Sequence, residues 1–232
     1  MKKMIKKLGI GLTSCQIEKL LHYSELLFDG LKEQRLTGEK TLEDIINKQL
    51  YDSIYPIKLF EIDQSKDALD LGTGGGLPGI PLKICLPTMK FTFMDSNKRK
   101  MNFIYRVVQA VELEKVRLLC GRAEYWGQIE EHRERYDYVF SKAVAEMNVL
   151  VEYTLPLTRV GGENILYKGP RGNEELLEAF GAVEQCGGEI IDIYDYKLIS
   201  GEMRKIIRII KKRKTPEKYP RPTGRPGKKP LR

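Results

Sequence analysis

The sequence predicts an α/β domain with a mostly parallel sheet, helices on both faces, an antiparallel strand near the C-terminal end and helices ahead of the sheet. Three observations predict it. From Ala68 onward, short apolar runs alternate with stretches of helical spacing, the mark of repeated strand–helix units. The first run ends in the loop Gly72-Thr73-Gly74-Gly75-Gly76, placed where α/β sheets meet ligands. The last two β-rich segments, Glu189–Ile199 and Arg204–Ile210, follow one another without a helix, which implies a closing hairpin.

The elements follow in order. Ser14 caps a helix over 14–36, with Ile17, Leu20, Leu21, Leu27, Phe28 and Leu31 at three- and four-residue spacing. A second helix runs from the cap Thr41 to Tyr55, before Pro56. Ala68–Leu71 is a strand, Pro78–Leu86 a helix closed by Pro87, and Lys90–Met94 a strand followed by Asp95. A long amphipathic helix spans Asn97–Val111, with strands at Val116–Cys120 and Tyr136–Phe140. Met147–Thr158 is a helix ending at Gly161-Gly162, Asn164–Tyr167 a strand, and Glu174–Cys186 a helix before the Gly187-Gly188 turn. The spacing divides the chain into an N-terminal helical extension (1–57), the α/β domain (58–213) and a tail (214–232) rich in Pro, Gly, Lys and Arg. The tail is expected to be extended until it meets a partner.

The chain has 232 residues, 41% hydrophobic and 31% charged, the composition of a globular protein with a full core. No apolar run is long enough to span a membrane, and Thr13, Ser14 and Gln16 interrupt the stretch after the basic start, so a signal peptide is not expected. A cytoplasmic monomer is the expectation. Cys15, Cys85, Cys120 and Cys186 are widely spaced and only two histidines occur, which argues against a metal site or a disulfide framework. The net charge of +8 is concentrated at the C-terminal end, where thirteen Lys or Arg between Arg204 and Arg232 face one acid, Glu217. Such an end suits a polyanionic partner.

The glycine loop carries the chemistry. Glycine permits tight turns and close approach to a ligand, and the following helix offers free N–H groups. Asp70-Leu71-Gly72-Thr73-Gly74-Gly75-Gly76-Leu77 has the form G-x-G-x-G after an acidic residue, which fits a methyltransferase loop holding an amino-acid moiety. The dinucleotide fingerprint is present only in a second register, starting at Gly74. Asp95 stands where a ribose-binding carboxylate is expected, and capping of the next helix is the competing role. Gly121-Arg122-Ala123-Glu124 follows the third strand, where a loop can lie along an adenine ring. Tyr125-Trp126 reads as packing a loop on the core rather than stacking a base.

Together these residues resemble the RsmG (GidB) family. The resemblance rests on Tyr51-Asp52-Ser53-Ile54, the loop from Gly72 to Pro81, Asp95-Ser96-Asn97-Lys98-Arg99, Arg122-Ala123-Glu124, Ala143-Val144-Ala145, Lys168-Gly169, and the tail Thr215–Arg221 with Gly224-Arg225-Pro226. It implies a Rossmann-like class I methyltransferase fold with S-adenosylmethionine as cofactor, acting on N7 of a guanine in 16S ribosomal RNA or the small subunit. It places Gly72 and Leu77 at the cofactor's methionine end, with Gly74 and Gly76 in the same cofactor-binding loop, Asp95, Ser96 and Asn97 at its ribose, Ala123 and Glu124 at its adenine, and Lys142 in the same site. The family's usual arginine is Lys142 here, its Asn-Leu-Thr is Arg35-Leu36-Thr37, and its histidine before Asp-Ser is Gln49. Lys142 and Lys168 are the candidates to orient the base, and Arg35, Gln49, Arg221 and Arg225 the candidates to contact RNA. Two alternatives remain open. One is an RNA-binding protein of this fold without the chemistry. The other is a nicotinamide-dependent oxidoreductase, for which no hydride-transfer site is recognisable.

Overall fold

The computed structural model describes residues 1–232. Its centre is a seven-stranded sheet of order β3-β2-β1-β4-β5-β7-β6. The strands are β1 Asp67–Leu71, β2 Lys90–Asp95, β3 Val116–Cys120, β4 Tyr136–Lys142, β5 Thr158–Lys168, β6 Gly188–Lys197 and β7 Met203–Lys211. β1 to β5 pair in parallel, and β7 runs antiparallel between β5 and β6. The expected hairpin is therefore β6–β7, and β7 is the expected antiparallel strand. Strand order reverses between β1 and β4, which opens a crevice at their C-terminal ends.

Helix bounds follow local chemistry. α1, Lys2–Leu8, was not expected; it buries only Met4 and Leu8 and stops at Gly9 in the left-handed conformation. α2, Ser14–Gly30, is capped by Thr13 rather than Ser14: Thr13 Oγ1 accepts from Gln16 N at 3.2 Å and Thr13 N donates to Gln16 Oε1 at 2.9 Å. It ends at Gly30, short of residue 36, and a side chain at Gly30 would press on Phe103. The second predicted helix is segmented: α3 Leu42–Asp44, a π turn Ile45–Leu50, α4 Tyr51–Ile54 and α5 Pro56–Leu59. A π turn inside a helix often marks a functional position. Here Gln49 and Asp52, on and just after it, both line the crevice.

The remaining helices are α6 Gly79–Cys85, α7 Lys98–Ala110, α8 Ala123–Trp126, α9 Met147–Thr154, α10 Gly172–Gln185 and α11 Arg225–Lys228. α9 is shorter than expected because Gly161-Gly162 belongs to β5. Gly161 takes φ +83°, and the β4–β5 register shifts beside it, so the pair forms an irregularity in a strand rather than a helix stop. One core packs α1, α2, α6 and α7 on one face of the sheet, and a second packs α9 and α10 on the other.

The tail departs from expectation. Residues 214–232 form a strap packed on the second core, with Thr215, Tyr219, Pro226 and Leu231 buried. The strap makes few hydrogen bonds of its own, and Arg133 supplies donors instead, reaching Thr215 O and Tyr219 O at 2.8 Å each. Thr215 Oγ1 donates to Cys186 O at 2.6 Å and Tyr219 OH to Gln185 Oε1 at 3.0 Å. Much of the C-terminal positive charge is also consumed within the fold. Lys205 pairs with Asp195, Arg208 with Glu163 and Asp192, Lys211 with Glu134, and Arg221 with Glu152.

Candidate functional site

The glycine loop is fixed at its start and at its middle. Gly72 N and Thr73 N donate to Met94 O at 2.8 and 2.9 Å, which ties its start to β2. Tyr23 OH donates to Gly75 O at 2.9 Å, so α2 holds its middle. Gly72 adopts φ +75°, and a Cβ there would collide with Val144. Below the loop, Asp70 is fully buried and accepts from Gly79 N at 3.0 Å. Burial pushes its carboxyl up to about 7, against the Gly79 N–H that favours the charged form.

Two cavities meet at this loop, of about 500 and 270 Å³, sharing Gly72, Lys100 and Ala143. Asp95, Ser96, Ala123 and Glu124 line the smaller one. Asp95 Oδ2 accepts from Gly74 N at 3.0 Å and Oδ1 from Asn97 N at 2.8 Å. The carboxylate still has lone pairs free for hydroxyl donors. The competing role falls to its neighbour: Asn97 caps α7, accepting from Arg99 N and Lys100 N at 2.9 and 3.3 Å. Asn97 was expected at the ribose, but its side chain is committed to this cap and does not line the cavity. Glu124 is buried and accepts from Gly224 N at 3.0 Å, so the strap touches the smaller cavity's wall. Trp126 packs edge-on to His132, as expected of a packing residue, while Tyr125 remains exposed.

The larger cavity holds Gly74, Leu77, Gln49, Lys142 and Lys168. Lys142 Nζ lies 2.7 Å from Asp52 Oδ2, an ionic contact without well-directed hydrogen bonding. Asp52 is buried, and its Oδ1 accepts a short hydrogen bond from Tyr196 OH. Burial raises the Tyr196 hydroxyl far above its usual range, with Asp52 adding to the effect, so the phenol stays protonated. Lys168 Nζ donates to Ala145 O at 2.8 Å and pairs with Glu175 at 2.7 Å. Gln49 donates to Glu39 at 2.9 Å.

Other expected residues lie elsewhere. Arg35 is exposed on the loop after α2, outside the cavity. Arg225 is exposed at the start of α11. Arg221 was expected to contact RNA phosphate; instead its guanidinium grips the fully buried Glu152 at 2.6 and 2.8 Å, because that carboxylate needs a partner once removed from water. Asp52, Lys48, Lys100 and Arg204 also line the larger cavity and were not singled out as site residues. For Lys100 the Lys98-Arg99-Lys100 run after Asp95 was the available signal.

The donor set suits S-adenosylmethionine. Thr73 and the Asp52–Lys142 pair line the larger cavity beside the loop, and polar groups on such a wall suit a polar ligand. The smaller cavity offers carboxylates for a ribose and an adenine edge, and the larger one has room for a methionine arm and a reacting base.

The family model described as GidB, rRNA small subunit methyltransferase G, matches residues 16–197. A ribosomal RNA small subunit methyltransferase G from Alkaliphilus oremlandii is 38% identical, covering 100% of this chain and 98% of that one. Those from Leuconostoc citreum and Bacillus cereus are each 40% identical, covering 96% and 98% of this chain and 94% and 96% of theirs. The chain belongs to the GidB family. The alignment of this GidB-family member with the Alkaliphilus relative spans the whole chain, strap included. The fold also matches solved S-adenosylmethionine-dependent methyltransferases. One from Methanosarcina mazei has TM-score 0.54 at 14% identity, covering 68% of this chain and 98% of that one. One from Aquifex aeolicus has TM-score 0.52 at 17% identity, covering 72% and 93%. The GidB-family chain is thus a methyltransferase, and its fold is that of class I S-adenosylmethionine-dependent methyltransferases. No group of three or more His, Cys, Asp or Glu is placed to hold a metal, and no helix is long and apolar enough to cross a membrane.

Proposed function

We propose that this protein transfers a methyl group from S-adenosylmethionine to N7 of a guanine in 16S rRNA of the small ribosomal subunit. The observation that carries the reading is the joined cavity. A lobe with ribose- and adenine-type acceptors opens, across Gly72 and Ala143, into a lobe walled by the Asp52–Lys142 pair. A cofactor held in the first lobe presents its reactive end to a base held in the second.

Guanine N7 carries a free lone pair and needs no deprotonation, so the site requires no general base. The bound cofactor supplies an activated methyl group on a sulfonium. The chain's task is alignment, an effect that can reach roughly 7–11 kcal/mol in favourable cases. Gly72, Gly74 and Leu77 shape the bed for the methionine arm, whereas Gly76, expected beside them, is buried against Tyr23, Ile80 and Ile104 and lines neither cavity. Asp95 and Ser96 meet the ribose, and Ala123 and Glu124 the adenine edge. Lys142 and Lys168 orient the base from the far wall, where Glu175 holds Lys168 in place. Arg35, Gln49 and Arg225 face the RNA, and the exposed Lys214, Lys218, Lys228 and Lys229 add phosphate contacts along the strap. The protein acts as a monomer in the cytoplasm.

The test is transfer from isotope-labelled cofactor to purified small subunits and to naked 16S rRNA. The expected result is label in 16S rRNA recovered as 7-methylguanosine. Unlabelled RNA from both substrates, with the cofactor demonstrably bound, overturns the reading.

A further inference from the structure

Asp52 has no assigned role, yet it is the buried acid on the substrate side of the cleft. Its Oδ2 faces Lys142 Nζ at 2.7 Å and its Oδ1 is held by the Tyr196 hydroxyl. Tyr196 is itself fixed, stacked on Tyr55 with ring centroids 3.9 Å apart. Tyr167 OH donates to Ser53 O at 2.7 Å and anchors the backbone next to Asp52. A buried carboxylate is costly and is kept at this position by Lys142, Tyr196 and Tyr167, from three strands distant in sequence. The outcome is a fixed acceptor and a cation side by side on the cavity wall.

That order of groups is complementary to one nucleobase edge. On its Watson–Crick edge guanine presents the O6 acceptor, then the N1–H donor, then the N2 amino donor. Lys142 is a donor without acceptor capacity, and an ionised aspartate accepts only. Lys142 against O6 and Asp52 against N1–H and N2–H satisfies all of them. Adenine reverses the pattern, setting its N6 amino donor against the ammonium and its N1 lone pair against the carboxylate. A grip on the Watson–Crick edge also leaves N7, on the opposite ring, free to face the methyl donor.

We propose that Asp52, held by Tyr196 and paired with Lys142, is the residue that selects guanine, reading N1–H and N2–H of the target base. The inference rests on the methyltransferase function proposed above. A site built to hydrogen-bond a substrate group rejects an analogue lacking it far more strongly than an apolar pocket does. In the free enzyme Lys142 neutralises the carboxylate, and the incoming base inserts beside the pair.

The experiment compares small subunits reconstituted with guanine or inosine, which lacks the N2 amino group, at the methylated position. The wild-type enzyme is expected to lose about tenfold or more in kcat/KM with inosine, the worth of one charge-assisted hydrogen bond. Asp52→Ala is expected to act on both substrates at nearly equal, low efficiency, and Asp52→Asn to fall between. Cofactor affinity, measured in parallel, should change less than about threefold. If Asp52→Ala does not fold, Tyr196→Phe, which removes the donor and keeps the ring, should lower the guanine-to-inosine ratio in the same direction. A ratio unaltered in all soluble variants overturns the role of Asp52 while leaving the methyltransferase function standing. A wild-type enzyme that methylates no guanine overturns the function itself.

Discussion

The guanidinium of Arg221 forms a two-pronged ion pair with Glu152, whose side chain is completely buried in α9. The charge that makes the tail look like a free polyanion-binding arm instead fastens it to the second core. Removing one partner of a buried pair leaves an uncompensated charge, which typically costs about 3–5 kcal/mol. Arg221→Ala is therefore expected to lose stability on that scale in urea unfolding, and Arg221→Lys, without the planar fork, to lose part of it. A change within about 0.5 kcal/mol in Arg221→Ala would show the pair to be dispensable.

The strap also reaches the cofactor. Gly224 N–H is a hydrogen-bond donor to Glu124 in the adenine-side cavity. Truncation after Thr223 removes that donor and keeps Arg221. Loss of one such bond, about 1 kcal/mol, predicts roughly fivefold weaker cofactor binding by calorimetry. Unchanged affinity would mean that Glu124 holds its position without the strap.

At Gly72 two requirements coincide: a left-handed backbone, and contact with Val144 where a Cβ would sit. Gly72→Ala should weaken cofactor binding by about tenfold or more. Gly11→Ala, with open space around it and ordinary φ, should leave binding unchanged.

Asp70 predicts a pH effect with a definite sign. Its folded value is raised to about 7 from an unfolded value near 3.9. Between those values the folded state binds the extra proton, so this group's contribution to stability falls as pH rises from about 4 to 7, then levels off. Asp70→Asn keeps an acceptor for Gly79 N–H and removes the titration. Relative to wild type, the variant should gain stability from pH 5 to pH 8, by at most roughly 2.5 kcal/mol. A pH-independent difference in urea unfolding contradicts the assignment.

What the sequence makes legible follows the range of the interactions involved. β3 runs over Val116–Cys120 as expected, and Asn97 sits at the helix start, because strand periodicity and capping are local. The glycine loop is legible for the same reason. α1 is not, since seven residues with four lysines and only two buried side chains show no usable period. Asp52 is not legible as a site residue because its meaning comes from Lys142 and Tyr196, brought alongside by β4 and β6. Arg221 misleads because charge patterning cannot reveal that Glu152, buried in an apolar helix, lies opposite it.

The most direct measurement is mass spectrometry of 16S rRNA from cells with and without this protein, mapped to single nucleotides. A single 7-methylguanosine present only with the protein, and restored by wild-type but not Gly72→Ala, is the predicted result. Identical modification maps with and without the protein, or a methyl group on another atom or base, would contradict it.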